Sequence, residues 1–128
     1  MDVKNSIEKF MLDMNLSFQE IAENTWMIED EFTHIDNIVV QLSEPILLFR
    51  VKLMEIPVQN TENFFKKLLE LNSSDLVHGA YALEGNNVVI VDTLETDNIN
   101  ANEFQATIDS ITMALTQHYE LLSNYFDK

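Results

Sequence analysis

Apolar residues near the start of the chain recur every three or four positions: Val3, Ile7, Phe10 and Met14, with Met11 beside them. That spacing draws one stripe on a helix, so residues 2–14 are predicted to form an amphipathic helix, with Lys4, Glu8 and Asp13 elsewhere on the wheel. The pattern dissolves from Leu16 to Asn24, which reads as a connector with some apolar content. Alternation then begins. Trp26 and Ile28 face one way and Met27 and Glu29 the other, a strand that ends near Glu29, Asp30 and Glu31.

Two further runs, "IDNIVVQL" (35–42) and "ILLFRVKLM" (46–54), flank Ser43, Glu44 and Pro45. In the second run Leu47, Phe49, Val51 and Leu53 share a face, and Arg50 and Lys52 share the opposite one. Period-two alternation across so short a connection predicts an antiparallel hairpin with one face towards a core. Pro57 stops the extended run. Asn60 or Thr61 can cap a second helix, whose stripe is Phe64, Phe65, Leu68 and Leu69 and which ends at Asn72-Ser73-Ser74. A second hairpin follows in "HGAYALEGNNVVIVDTL" (78–94), turning at Gly85-Asn86-Asn87, where glycine and asparagine tolerate positive φ. The unbroken apolar run of its return strand suggests a central strand covered on both faces. Asn100 followed by Glu103 resembles a capping box, and the last helix carries Phe104, Ile108, Ile111, Leu115 and Leu122 to about Tyr125.

The order is therefore α-β-β-β-α-β-β-α. It predicts a single α+β domain over residues 1–128, an antiparallel five-stranded sheet packed with helices. The chain's 128 residues suit one domain that folds without staples, and 46% hydrophobic residues supply its core. There is no cysteine, hence no disulfide framework and no thiolate metal site.

Charge narrows the partners. Twenty-two acidic residues against seven basic ones give a formal charge of −15. Nucleic acids and anionic membranes need lysine and arginine against phosphate, so neither is an expected partner. The charge either steers proteins with basic segments or only keeps the chain soluble. The N-terminus, "MDVKNSIEKF", lacks the apolar core of a signal peptide, and no run approaches a membrane span. A soluble, cytoplasmic protein is expected.

A search for chemistry yields little. Gly79 and Gly85 flank a strand rather than opening a helix, which excludes a P-loop and a dinucleotide fingerprint. His78 and Asp92 would lie on adjacent strands, with Ser73 or Ser74 as nucleophile candidates, but nothing marks a nucleophile elbow. His34, His78 and His118 are scattered, and the acidic segment 92–103 has Leu94 at the third position of a calcium loop and no central glycine. No cofactor, metal or catalytic residue is expected. The contrary reading is an enzyme or small-molecule binder built on His78 and the acidic 92–103 segment. The features that suggest binding are Ile46, Leu48 and Met54, apolar residues on the nominally outer face of a strand beside Arg50 and Lys52. They form either a partner surface or a face that a helix covers.

The segment "LLELNSSDLVHGAYALEGNNVVIVDTLE" resembles that of YbjN-domain proteins, where an "LLxLN" helix end precedes a glycine-started strand and a hairpin. That family is similar in structure to the class I type III secretion chaperones, the Tir-chaperone or CesT-like group, and the element order fits theirs. The resemblance implies a non-enzymatic protein: a small, acidic, cytoplasmic homodimer that holds an extended segment of a partner protein against apolar patches, or a regulator. It carries no catalytic motif. For a dimer interface the second helix is the candidate, at Phe64, Phe65 and Leu68, because two adjacent phenylalanines broaden its apolar face.

Overall fold

The computed structural model describes residues 2–29, 38–76 and 79–125. Three helices and six strands occur in the order α1 (Val3–Asp13), β1 (Ser17–Ala22), β2 (Thr25–Glu29), β3 (Ile38–Ser43), β4 (Ile46–Glu55), α2 (Thr61–Ser74), β5 (Ala80–Glu84), β6 (Asn87–Glu95) and α3 (Ala101–Ser123). All neighbouring strands are antiparallel, in the spatial order β1-β2-β3-β4-β6-β5.

The helix ends follow the sequence chemistry. Asp2 caps α1 by accepting from the Asn5 amide (2.8 Å), and Asn100 caps α3 by accepting from the Glu103 amide (2.9 Å). Asn60 precedes α2 in a left-handed conformation and makes no side-chain cap.

One strand was not expected. Residues Ser17–Ala22 pair with β2 and make the sheet six-stranded rather than five. As an edge strand β1 buries little: Phe18 packs against the core, while the pairing is irregular between Glu20 and Ala22 and leaves Ile21 48% exposed. A strand that buries one side chain carries no alternation to read.

All three helices lie on one face of the sheet. Inward-facing Trp26, Ile28, Val40, Phe49, Val51 and Ile90 form one cluster with Ile7 and Met11 of α1, Phe64, Leu68 and Leu71 of α2, and Phe104, Ile108, Ile111 and Leu122 of α3. Phe104 sits at the junction, its ring centroid 5.7 Å from Phe10 and 5.5 Å from Phe49. The α1 helix is tied down by polar contacts too. Trp26 Nε1 donates to Glu8 (3.0 Å), and Lys4 pairs with Glu20 of β1 (2.9 Å).

The expectation that the return strand is covered on both faces is corrected here. The β6 strand lies second from the edge, and helices cover only one side of it. Val89, on the other side, is buried by its strand neighbours Lys52 and Ala82 and by Arg50, which crosses β6 to reach Glu84 of β5 (2.9 Å). Gly79 sets the start of the last hairpin. Its φ is +82°, and a Cβ there would stand 2.8 Å from the Val91 carbonyl oxygen, so no other residue fits without a backbone shift.

Candidate partner-binding surfaces

The helix-free face of the sheet holds the first candidate surface. Cross-strand register sets Ile46 opposite Ser43 and Glu95, and Leu48 opposite Gln41 and Thr93, all facing away from the helices. Ile46 is 42% exposed and Leu48 is half-buried, and no helix covers either. Beside Ile46 lies a depression of about 530 Å³ with Pro45, Thr93 and Leu94 in its wall and Glu95 and Asp97 at its rim. The apolar floor and acidic rim are matched to an apolar segment carrying a basic side chain.

Met54 does not share that surface. The β4–β6 register slips between Lys52 and Met54, so Lys52 opposes outward Val89 while Met54 opposes inward Val88. The bulge turns the strand over, and both Leu53 and Met54 pack against the core. Strict alternation through residues 46–54 could not reveal an extra residue.

The second surface involves α2 and β5. A groove of about 250 Å³ runs between them, lined by Phe65, Leu68, Leu69 and Asn72 of α2 and by Tyr81, Ala82 and Leu83 of β5. Of the three residues expected at a dimer interface, Phe64 is fully buried and Leu68 is 5% exposed, both inside the protomer core. Phe64 packs against Phe65 (centroids 5.9 Å apart) and Tyr125 (5.3 Å). Phe65 and the edge of Leu68 line the groove, joined by Leu69 at 68% and Leu83 at 51% exposure.

His34 and His78 lie outside the described residues. Asp92 Oδ1 accepts from the adjacent Thr93 amide (2.8 Å), and its Oδ2 is buried without a hydrogen-bond partner among the described residues. Among the described residues no group of three or more histidine, cysteine or acidic side chains could hold a metal ion. No described helix is long and apolar enough to cross a membrane.

Sequence reading missed one polar chain. His118 of α3, only 2% exposed, takes a Tyr81 hydroxyl contact at Nδ1 (2.7 Å) and places Nε2 3.2 Å from Asp75. With the Asp75 carboxylate accepting, Nε2 carries the hydrogen, and in the neutral imidazole Nδ1 then accepts from Tyr81. The three residues stand 37 and 43 positions apart in sequence, so no local motif announces them. Burial, and then the charge of Asp75, raise the Tyr81 hydroxyl above its ordinary value of 10.0, which keeps it protonated as a hydrogen-bond donor. The chain is a clamp joining α2, β5 and α3.

Hydrogen bonds from Ser74 and then His118 hold the Asp75 carboxyl below its ordinary 3.8. A depressed acid stabilises the fold above its unfolded value, and that contribution is lost as pH falls through the folded value. Asp75→Asn is therefore expected to lower the urea midpoint at pH 6, with the gap to wild type closing below pH 3.8. A gap unchanged between pH 6 and pH 3 would remove the Asp75 charge from the clamp.

The architecture is that of the type III secretion chaperones. It superposes on one chain of the structure of the heterodimeric ExoU–SpcU complex from the Pseudomonas aeruginosa type III secretion system, with a TM-score of 0.71 at 17% identity, covering 94% of this chain and 98% of that one. The Yersinia pestis chaperone SycH, solved with a fragment of YscM2, matches with a TM-score of 0.66 at 11% identity over 91% and 98% of the two chains. YbjN from E. coli matches at 0.68 with 13% identity, covering 91% and 90%. At such identities the likeness establishes the fold. The CesT_Tir_1 family model matches residues 1–128, and the chain belongs to that family. No curated protein matches it in sequence.

Proposed function

We propose that this chain is a non-enzymatic chaperone-like protein, a cytoplasmic homodimer that captures an extended segment of a partner protein. The observation that carries the reading is the helix-free sheet face, where Ile46 and Leu48 stand beside an acid-rimmed depression. An extended segment binds such a scaffold by placing alternate side chains in apolar pockets and adding main-chain hydrogen bonds at a sheet edge. The charge of −15 favours clients with basic segments and speeds their encounter. Support for a protein partner also comes from the ExoU–SpcU and SycH–YscM2 structures, each a complex between two proteins. For a second copy, Phe65, Leu69 and Leu83 form the apolar face that the protomer leaves open.

The test is affinity capture from source-cell lysate with mass spectrometry, followed by limited proteolysis of the complex. A recurrent partner, protected over an extended segment and weakened by salt, is expected. Leu48→Glu should weaken that capture by about tenfold or more, as removal of a central apolar contact does, while the unfolding midpoint stays close to wild type. Capture that is indifferent to Leu48→Glu and Ile46→Glu would move the client off this face.

A further inference from the structure

The two edges of the sheet are treated differently. On β1 the described structure shows no hydrogen bond from the strand's backbone to any group beyond β2 and its own turn. On β5 a side chain occupies the edge. Asn72, in the last turn of α2, accepts from the Tyr81 amide at its Oδ1 (2.7 Å) and donates from Nδ2 to the Tyr81 carbonyl (3.2 Å). One carboxamide thus makes both hydrogen bonds that a neighbouring strand's residue would make.

We propose that Asn72 is a guard residue that closes the β5 edge to strand addition by standing in for the backbone of a seventh strand. The geometry follows from the ladder. Tyr81 turns both backbone groups away from β6, so in an antiparallel pair Ala80 and Ala82 bond to β6, while Tyr81 and Leu83 present their groups outwards. An incoming strand needs consecutive outward residues, about 7 Å apart along the strand. With Tyr81 occupied, Leu83 is left without its neighbour and no ladder can start. The guard is fixed in place. Asn72 follows buried Leu71, and three residues later Asp75 joins the His118–Tyr81 clamp. The asparagine of the "LLELN" segment thereby acquires a physical role, and this role stands whether or not the client reading does.

The experiment compares wild type, Asn72→Ala and the double variant Asn72→Ala/Leu83→Pro by solution mass over a range of concentrations and by residue-resolved amide exchange. In Asn72→Ala the Tyr81 amide should exchange about tenfold faster, the equivalent of one lost hydrogen bond, while Val89 and Ile90 keep their protection. A concentration-dependent species heavier than wild type should appear. Proline at 83 removes an outward N–H without touching the β6 ladder, where an edge strand tolerates it, so the double variant should lose the heavier species that Asn72→Ala forms. Unchanged Tyr81 exchange, an unchanged mass in Asn72→Ala, or extra association that persists with Leu83→Pro would each overturn the guard role. Should Asn72→Ala fail to fold, Asn72→Leu takes its place. It keeps the size of the side chain but offers Tyr81 neither donor nor acceptor, and the same gain in mass is expected.

Discussion

Phe104→Ala is expected to cost about 3–5 kcal/mol of stability, the range for truncating a buried phenylalanine without collapse of the cavity. Phe104 is fully buried and its ring touches Phe10 of α1 and Phe49 of β4, so one side chain joins two helices to the sheet. A domain of this size has about 5–15 kcal/mol in all, so the loss brings the chain close to unfolding at 37 °C. Urea denaturation followed by tryptophan fluorescence reads it directly, because Trp26 is fully buried in the same cluster. A loss below about 1 kcal/mol would mean that α3 is not packed through Phe104.

Phe64→Ala carries the second large effect, again about 3–5 kcal/mol, and it decides between two roles for one residue. Packed against Phe65 and Tyr125 inside the protomer, Phe64 should lower the unfolding midpoint without altering the mass of the folded species. Leu69→Asp is the counterpart. Its side chain is 68% exposed, so the midpoint should stay within about 0.5 kcal/mol of wild type. If a second copy docks on the α2–β5 groove, Leu69→Asp should instead lower the mass, by placing an unpaired charge in an apolar interface. Phe64→Ala that dissociates the protein while leaving each protomer stable would return Phe64 to the interface.

The candidate surfaces were only half legible in the residues. Ile46 and Leu48 were placed correctly on the outer face because alternation holds through the first half of β4. Met54 was misplaced because a bulge shifts parity without leaving a mark in the apolar pattern. Phe64 and Phe65 look equivalent in sequence. On the helix they differ by about 100° of rotation, enough to send one into the core and the other towards the groove.

What the amino-acid sequence determined by itself was most of what depends on near neighbours. The helical stripes, the caps at Asn100 and the hairpins at Glu44-Pro45 and Gly85-Asn86 are local, since hydrogen bonds and periodicity act within a few residues. The resemblance through "LLELN" added the superfamily. Tertiary structure alone decided that Ser17–Ala22 is a sixth strand, held by pairing rather than burial. It also placed all three helices on one face, leaving Ile46 and Leu48 uncovered. And it brought Asn72 to Tyr81 and Tyr81 to His118, contacts whose partners are 9 and 37 residues apart. For the helices and the polar contacts the physical reason is shared: each depends on which surfaces meet after the chain has folded back on itself, and polar partners distant in sequence have no spacing by which to be recognised.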